Sequence, residues 1–425
     1  MEAPRPAGAF APDERRIVHF TGFAHAATHF VELVYPTLAV ALAAESGVPL
    51  ADVLSWSFAG YLLFGLGALP AGLAADRLGA RRVILAGLLG AGLSALAASQ
   101  ARPGWPLALC LAGLGASASC YHPAGTGLLS RAVAARGRAL GLNGIYGNVG
   151  IALAPLTTAA LAAAVGWRGA FAWTGAVLVV ATVAFSRLRL REPDRAHAVA
   201  AVAAAGAGGA PPTAPPPADA GGRPAPGTEA PAAARSAVVP FVVLCVTATL
   251  GGFAYRANTT AQPALFAESI HFMGYGLAAS IAMLVGVAGQ YVGGLVADHR
   301  ELRAAYLAFH ALSLPMLAWV AFSSGAPLLV ASSLYVFFAL GMQPIENSLF
   351  ASLTPDRWRS TAYGLKFVLT FGIGSTAVWM VHGVAEGHDW AAVYVVLIGV
   401  VGALLASIGL LFALTRRGAI RNASA

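Results

Sequence analysis

The chain has 425 residues, of which 58% are hydrophobic and only 10% charged, with a mean hydropathy of +0.72. A soluble domain carries about 25% charge, so a soluble enzyme and a disordered protein are both excluded, and the continuous rather than alternating apolar runs exclude an outer-membrane barrel. The formal charge of +8 sits mainly in short segments between those runs, which points to orientation in a lipid bilayer and not to nucleic acid.

In chain order, Met1 to Arg16 is polar and leads into an apolar segment too long for a signal-peptide core, so a first helix that stays in the membrane is expected. Hydropathy predicts helices at 17–44, 51–75, 83–101, 105–133, 138–164 and 167–187, each near the ~20 residues a bilayer requires. From Glu192 to Arg235 the chain turns Ala/Pro/Gly-rich, with the runs PPTAPPP and GGRPAPGTEAP, which predicts a flexible cytoplasmic linker. A second set of helices is predicted at 237–265, 273–298, 302–322, 326–352, 360–384 and 389–414. The expected fold is therefore an all-α membrane protein of twelve transmembrane helices: an N-terminal six-helix bundle (1–191), a linker (192–235) and a C-terminal six-helix bundle (236–425). Cys110, Cys120 and Cys245 all fall in apolar stretches and read as packing residues, not as a disulfide framework.

Of the 25 arginines, 22 lie in the N-terminus, the linker, the C-terminus or the loops that share their side, and only Arg102 and Arg168 occupy opposite loops. The positive-inside rule then puts both termini and the linker in the cytoplasm, with a bacterial inner membrane as the expected setting. The halves also repeat: Gly72 to Asp76 (GLAAD) closes the second predicted helix and Gly294 to Asp298 (GLVAD) the eighth. Aligning Pro36 with Pro263 sets His29 opposite Arg256, aligning Pro123 with Pro344 sets His122 opposite Gln343, and aligning Gly141 with Gly364 pairs Asn143 with Lys366. Parallel repeats of this kind imply a solute site between the halves near the bilayer midplane.

The stretch Gly72-Leu-Ala-Ala-Asp76-Arg77-Leu-Gly79-Ala-Arg81-Arg82 resembles the loop 2-3 signature of the major facilitator superfamily at every fixed position. With twelve predicted helices in two halves, that resemblance covers nearly the whole chain and implies alternating-access transport of a small solute. More narrowly, YHPAGTGLLSRAVAARGRALGLNGIYGNVGIALAP is similar to helices 4 and 5 of the fosmidomycin-resistance exporters and their relatives. Gly141, Gly150, Ala154 and Pro155 fall at the spacing of the antiporter motif of proton-coupled drug exporters. Ala154 departs from that motif, which usually has glycine before the proline, and Thr158 and Ala159 stand where two glycines are usual.

Individual residues carry more specific expectations. Asp76 ends a helix where an anion needs a cation or a helix N-terminus, and the resemblance implies contact with the start of helix 11. Gly72 permits close backbone approach, Gly79 a tight turn, and Arg77, Arg81 and Arg82 can engage Asp76, acidic partners or lipid phosphate. His25, His29 and Glu32 are spaced i, i+4 and i+7, one face of the first helix, with Glu32 near mid-bilayer where a carboxylate can bind and release a proton. His122 precedes Pro123, which is expected to kink the helix around it.

In the second half Arg256, Glu346 and Lys366 are the deep ionisable groups, and Lys366 is the chain's one lysine, able to pair with Glu346. Arg256 cannot deprotonate, so it pairs with an anionic solute group or with Glu32 across the cavity. Asn143 and Gln343 are candidate orienting groups. His310 carries less weight, in a helix expected to be peripheral.

These features point to a secondary transporter of a small organic solute, not an enzyme: a monomer whose partners are its solute, protons and lipid, with no cofactor, no metal and no nucleic acid. Proton-coupled efflux leads, and proton-coupled uptake of an anionic metabolite is the alternative. A membrane metal-binding protein using His25, His29 and Glu32 is a minor one.

Overall fold

The computed structural model describes residues 10–133, 135–188, 190, 230–354 and 359–415 and is all-helical among them. The described residues form twelve helical segments in order, nine helices among them being long and apolar enough to cross a membrane: α1 (Pro12–Ser46), α2 (Leu50–Leu66 with Ala68–Leu78), α3 (Ala80–Gln100), α4 (Trp105–Ala118 with Tyr121–Ala132), α5 (136–165), α6 (167–187), α7 (Ala230–Ser269), α8 (Tyr275–His299), α9 (Leu302–Ala321), α10 (Gly325–Leu353), α11 (359–385) and α12 (Trp390–Thr415). Residues 192–229 of the expected linker lie outside the described residues. The seventh span starts at Ala230, before the boundary expected at 236.

Several helices break where the sequence supplies a reason. The α5–α6 corner turns on Gly166, whose φ of 72° is open to glycine and strained for other residues. Within α4 the break at Ser119–Cys120 lies one turn before Pro123, whose ring clashes with the carbonyl four residues back. Span α2, predicted as one run, is bent by 45° at Gly67. Span α11 contains a π turn (Val368–Gly372) and a 3₁₀ turn (Ile373–Thr376) where glycines bring backbones together: a Cβ on Gly65 would stand 2.1 Å from the Gly372 nitrogen, and one on Gly252 2.3 Å from the Thr370 carbonyl oxygen.

Polar groups inside these apolar helices are mostly satisfied locally. Thr21, Thr28 and Thr37 of α1 each donate to the carbonyl four residues back at 2.8–2.9 Å. Two arginines finish helix C-termini: Arg81 donates to the carbonyls of Phe185, Ser186 and Leu188 after α6, and Arg168 to those of Ser99 and Ala101 after α3.

The two halves touch mainly at one end. Leu156 N donates to Ser280 Oγ at 2.9 Å, the Tyr275 hydroxyl to the Thr37 carbonyl at 3.2 Å, and His382 Nε2 pairs with Asp52 at 2.8 Å. Here α5 also meets α8 closely, a Cβ on Gly276 reaching 2.6 Å from the Pro155 carbonyl oxygen. At the opposite end, which carries loop 2-3, α5 and α8 are open: Cβ atoms on Gly141, Gly144 or Gly294 would meet nothing within 4 Å. Between α5 and α8 the halves therefore part toward the loop 2-3 face, while α2 and α11 stay in contact near Leu69 and Gly364.

Candidate functional site

Between the halves lies a cavity of about 230 Å³, lined from the first half by His25, His29, His122 and Asn148, and from the second by Gln290, His310, Gln343, Glu346, Asn347 and Lys366. Tyr255, Tyr335, Phe367 and Phe371 supply its aromatic surface.

On the first-half wall α1 presents His25 and His29 one turn apart, and the α4 break brings His122 to them. The ring centroids are 4.9 Å apart for His25 and His29, 5.3 Å for His25 and His122, and 5.2 Å for His29 and His122. His25 stacks on Tyr121 at 4.8 Å, and its Nδ1 donates to the Asn143 carbonyl at 2.8 Å. The Asn143 side chain accepts from the Tyr121 hydroxyl at 2.9 Å, so this amide fixes the histidine wall from behind. His122 stacks on Phe367 of the opposite half at 5.1 Å, and its Nε2 is buried without a hydrogen-bond partner among the described residues.

Behind that wall Glu32 is fully enclosed. Its Oε2 accepts from His29 Nδ1 at 2.9 Å, and its Oε1 from Arg256 Nη2 at 2.6 Å. Glu32 is 6% exposed and Arg256 1%. The guanidinium lies 3.6 Å from the centroid of the Tyr61 ring, whose hydroxyl donates to the Glu32 carbonyl at 3.1 Å. A carboxylate and a guanidinium so deep are tolerable because each neutralises the other, and this pair joins α1 of one half to α7 of the other.

The second-half wall has its own pair. Lys366 Nζ stands 2.7 Å from Glu346 Oε1 and donates to Asn347 Oδ1 at 2.6 Å, while the Tyr306 hydroxyl donates to Glu346 Oε2 at 2.5 Å. Gln343 accepts from Gln290 Nε2 at 2.9 Å. His310 lines the cavity, one helical turn from Tyr306 and packed edge-on to its ring at 4.7 Å. Sequence reasoning gave His310 little weight and missed Tyr306 altogether. Their i, i+4 spacing on one face of α9 is the signal that could have found them.

The loop 2-3 residues stand apart from the cavity. Gly79 has φ 100° at the turn between α2 and α3, and a Cβ on Gly72 would be 3.4 Å from Pro123. Asp76 is exposed and has no ion pair among the described residues; its helix packs against α11 near Gly364. Arg81 engages carbonyls at the end of α6, and the exposed Arg82 lies 3.4 Å from the Leu78 carbonyl. Arg77 is exposed. In the second-half counterpart it is Gly293, not Gly294, that packs closely, against the Gly341 carbonyl of α10, and Asp298 is exposed. In α5, Gly150 faces the Ala26 carbonyl of α1, where a Cβ would stand at 2.2 Å, Ala154 is buried, and Pro155 meets α8.

Apolar helices, nine of those described being long enough to cross a membrane, arranged around a polar, charge-paired cavity define a membrane carrier. The sequence profile of the Major Facilitator Superfamily matches residues 19–378, and the chain belongs to that superfamily. It is thus a secondary transporter of small solutes and not an enzyme. No curated protein matches the chain. Among solved structures it is similar to a POT family transporter in complex with 5-aminolevulinic acid, at 11% identity and TM-score 0.73, covering 95% of this chain and 96% of that one. It is also similar to a peptide transporter POT in complex with sulfate (14%, TM-score 0.70, 95% and 94%). A third is an inward-facing, occupied bacterial homolog of the human lysosomal transporter Spinster (15%, TM-score 0.69, 98% and 100%). At these identities the likeness is one of fold.

Proposed function

We propose that this carrier exports a small organic solute in exchange for protons, with Glu32 as the coupling group. The observation that carries the reading is the Glu32–Arg256 pair, which ties α1 to α7 across the halves just behind the cavity wall. An exchanger must not reorient empty: a carrier that has released its proton and holds no cargo has to wait for cargo, or the gradient drains. Parting the halves with Glu32 ionised gives up the contact in which each charge neutralises the other, so the pair acts as the required latch. Two events release it. A proton on Glu32 removes the charge that Arg256 holds, and cargo in the cavity meets His29, whose Nδ1 bond supports Glu32. Since either one unlocks the same latch, proton and cargo can take turns carrying the protein across. The likeness of helices 4 and 5 to the fosmidomycin-resistance exporters supports the same direction.

The arginine bias supports an orientation with both termini in the cytoplasm of a bacterial cell, so that the open end faces inward, toward cargo to be expelled. The reading takes the protein as a monomer of two six-helix bundles, 1–191 and 236–425, joined by the linker at 192–235. A second reading, proton-coupled uptake of an anionic metabolite, is favoured by Lys366 and the three imidazoles at the cavity surface.

The test is proton release from everted vesicles with an acid interior, on addition of phosphonates, organic acids and cationic drugs, for wild type and Glu32→Gln. Compound-dependent proton release in wild type that the variant lacks is the expected result. Silence of wild type to the whole panel, with anion uptake in right-side-out vesicles, would replace efflux by the second reading.

A further inference from the structure

The histidine wall has a feature that proton exchange does not use. Both His25 and His29 spend Nδ1 on an acceptor, a backbone carbonyl and a carboxylate respectively. In the neutral imidazole the proton is then on Nδ1, and Nε2 of each ring carries a free lone pair. His122 adds a third ring whose Nε2 is buried and unpartnered among the described residues. One nitrogen from each of the three rings can be chosen so that all lie within 4.8 Å of one another. His122 is buried and His25 and His29 are part-buried along the cavity, so the three acceptors converge where an electron-poor group in the cavity can reach them.

We infer that His25, His29 and His122 form a binding site for a divalent first-row transition-metal ion, with one coordination position left open to the cavity. Three imidazoles bound at about 2.1 Å to a tetrahedral ion hold their ring centroids about 5 Å apart. The centroids here are 4.9, 5.3 and 5.2 Å apart, so closure needs ring rotation and about an ångström of nitrogen movement, not a rebuilt backbone. The outer contacts are those that orient ligating histidines, Nδ1–H held by a carboxylate on one ring and by a carbonyl on another. Space has been kept for this placement, since a Cβ on Gly147 would stand 2.6 Å from the His25 ring. Sequence spacing alone suggested Glu32 as the third ligand; the structure gives that carboxylate to Arg256 and brings His122 in its stead.

Imidazole nitrogens suit zinc, copper, cobalt and nickel, and a fourth position facing the cavity suits an oxygen donor of a small organic ligand. The inference is independent of proton exchange, because it is read from metal binding without transport.

The experiment uses the full chain, purified with any affinity tag removed and stripped with a chelator, and titrates it with Co²⁺ alone. One Co²⁺ per chain is expected, with the intense visible absorption of a four- or five-coordinate nitrogen site. His122→Gln weakens binding about tenfold or more, while His382→Ala, in the separate Asp52–His382–Glu386 cluster, leaves it unchanged. Pulsed EPR of the wild-type Cu²⁺ complex, which needs no variant, is expected to count three imidazoles. Absence of saturable Co²⁺ binding to wild type, binding lost in His382→Ala but kept in His122→Gln, or fewer than three imidazoles on copper would overturn the inference. Each of those results would leave the vesicle test of Glu32→Gln unaffected.

Discussion

Replacing Glu32 by glutamine keeps the side-chain volume and removes the charge that balances Arg256. In the structure Arg256 is 1% exposed, its Nη2 bonds Glu32, and its Nε and Nη1 have no partner among the described residues, so the loss falls on a cation with no second acceptor. Removing one partner of such a pair costs about 3–5 kcal/mol. That cost falls on the state in which the arginine is buried, and parting of the halves at their closed end relieves it. Expressed as an equilibrium, it favours opening of that end by a factor of about a hundred to a few thousand. Spin labels at Glu45 and Glu386, both exposed on that face, report the change as a longer inter-label distance in Glu32→Gln than in wild type. Arg256→Gln is expected to shift the same way, because Glu32 then keeps only His29. The double variant Glu32→Gln/Arg256→Gln leaves no buried charge at this point and should return most of the way to the wild-type distance, the non-additivity expected of a pair in contact. Wild-type distances in both single variants, or single effects that simply add in the double, would refute the latch.

Other consequences are local. Gly65→Ala, whose Cβ would fall 2.1 Å from the Gly372 backbone, is expected to lower the thermal unfolding temperature by several degrees, whereas Gly141→Ala, with nothing within 4 Å, should leave it equal or slightly raised. Arg81→Ala removes the Nη2 group that donates to the Phe185, Ser186 and Leu188 carbonyls; limited proteolysis near the end of α6 should accelerate in the variant. Lys366→Met strands Glu346, which is 2% exposed, with Tyr306 and without its cation, at a cost of about 3 kcal/mol or more; Lys366→Met/Glu346→Gln should unfold at a higher temperature than Lys366→Met.

The span pattern was legible because membrane spans announce themselves by length and apolarity, and the corner at Gly166 and the Pro123 kink were legible because a glycine and a proline act on their own turn. Span α2 and the π turn of α11 were not. Their breaks arise where Gly65, Gly252 and Gly372 let three helices meet backbone to backbone, a tertiary fact with no local signature. At the site, the shared face of His25, His29 and Glu32 followed from helical spacing. Which of them faces the cavity and which lies behind it did not, because that depends on how α1 is rotated against α7. His310 was set aside for the same reason: a helix judged peripheral by its place in the order still turns one face inward.

The placement of charge around the cavity follows one rule with two applications. Glu32 with Arg256 and Glu346 with Lys366 are each neutral as pairs, but they differ in what they join. The second lies wholly within the C-terminal half, between α10 and α11, and can persist while the halves move. The first crosses from α1 to α7, so it exists only while those two helices are in contact. On the proposed reading, releasing the Glu346–Lys366 pair would change only the lining of the cavity, whereas releasing the Glu32–Arg256 pair would change which conformation is favoured. That difference is why coupling is assigned to Glu32 although both carboxylates are buried to a similar degree.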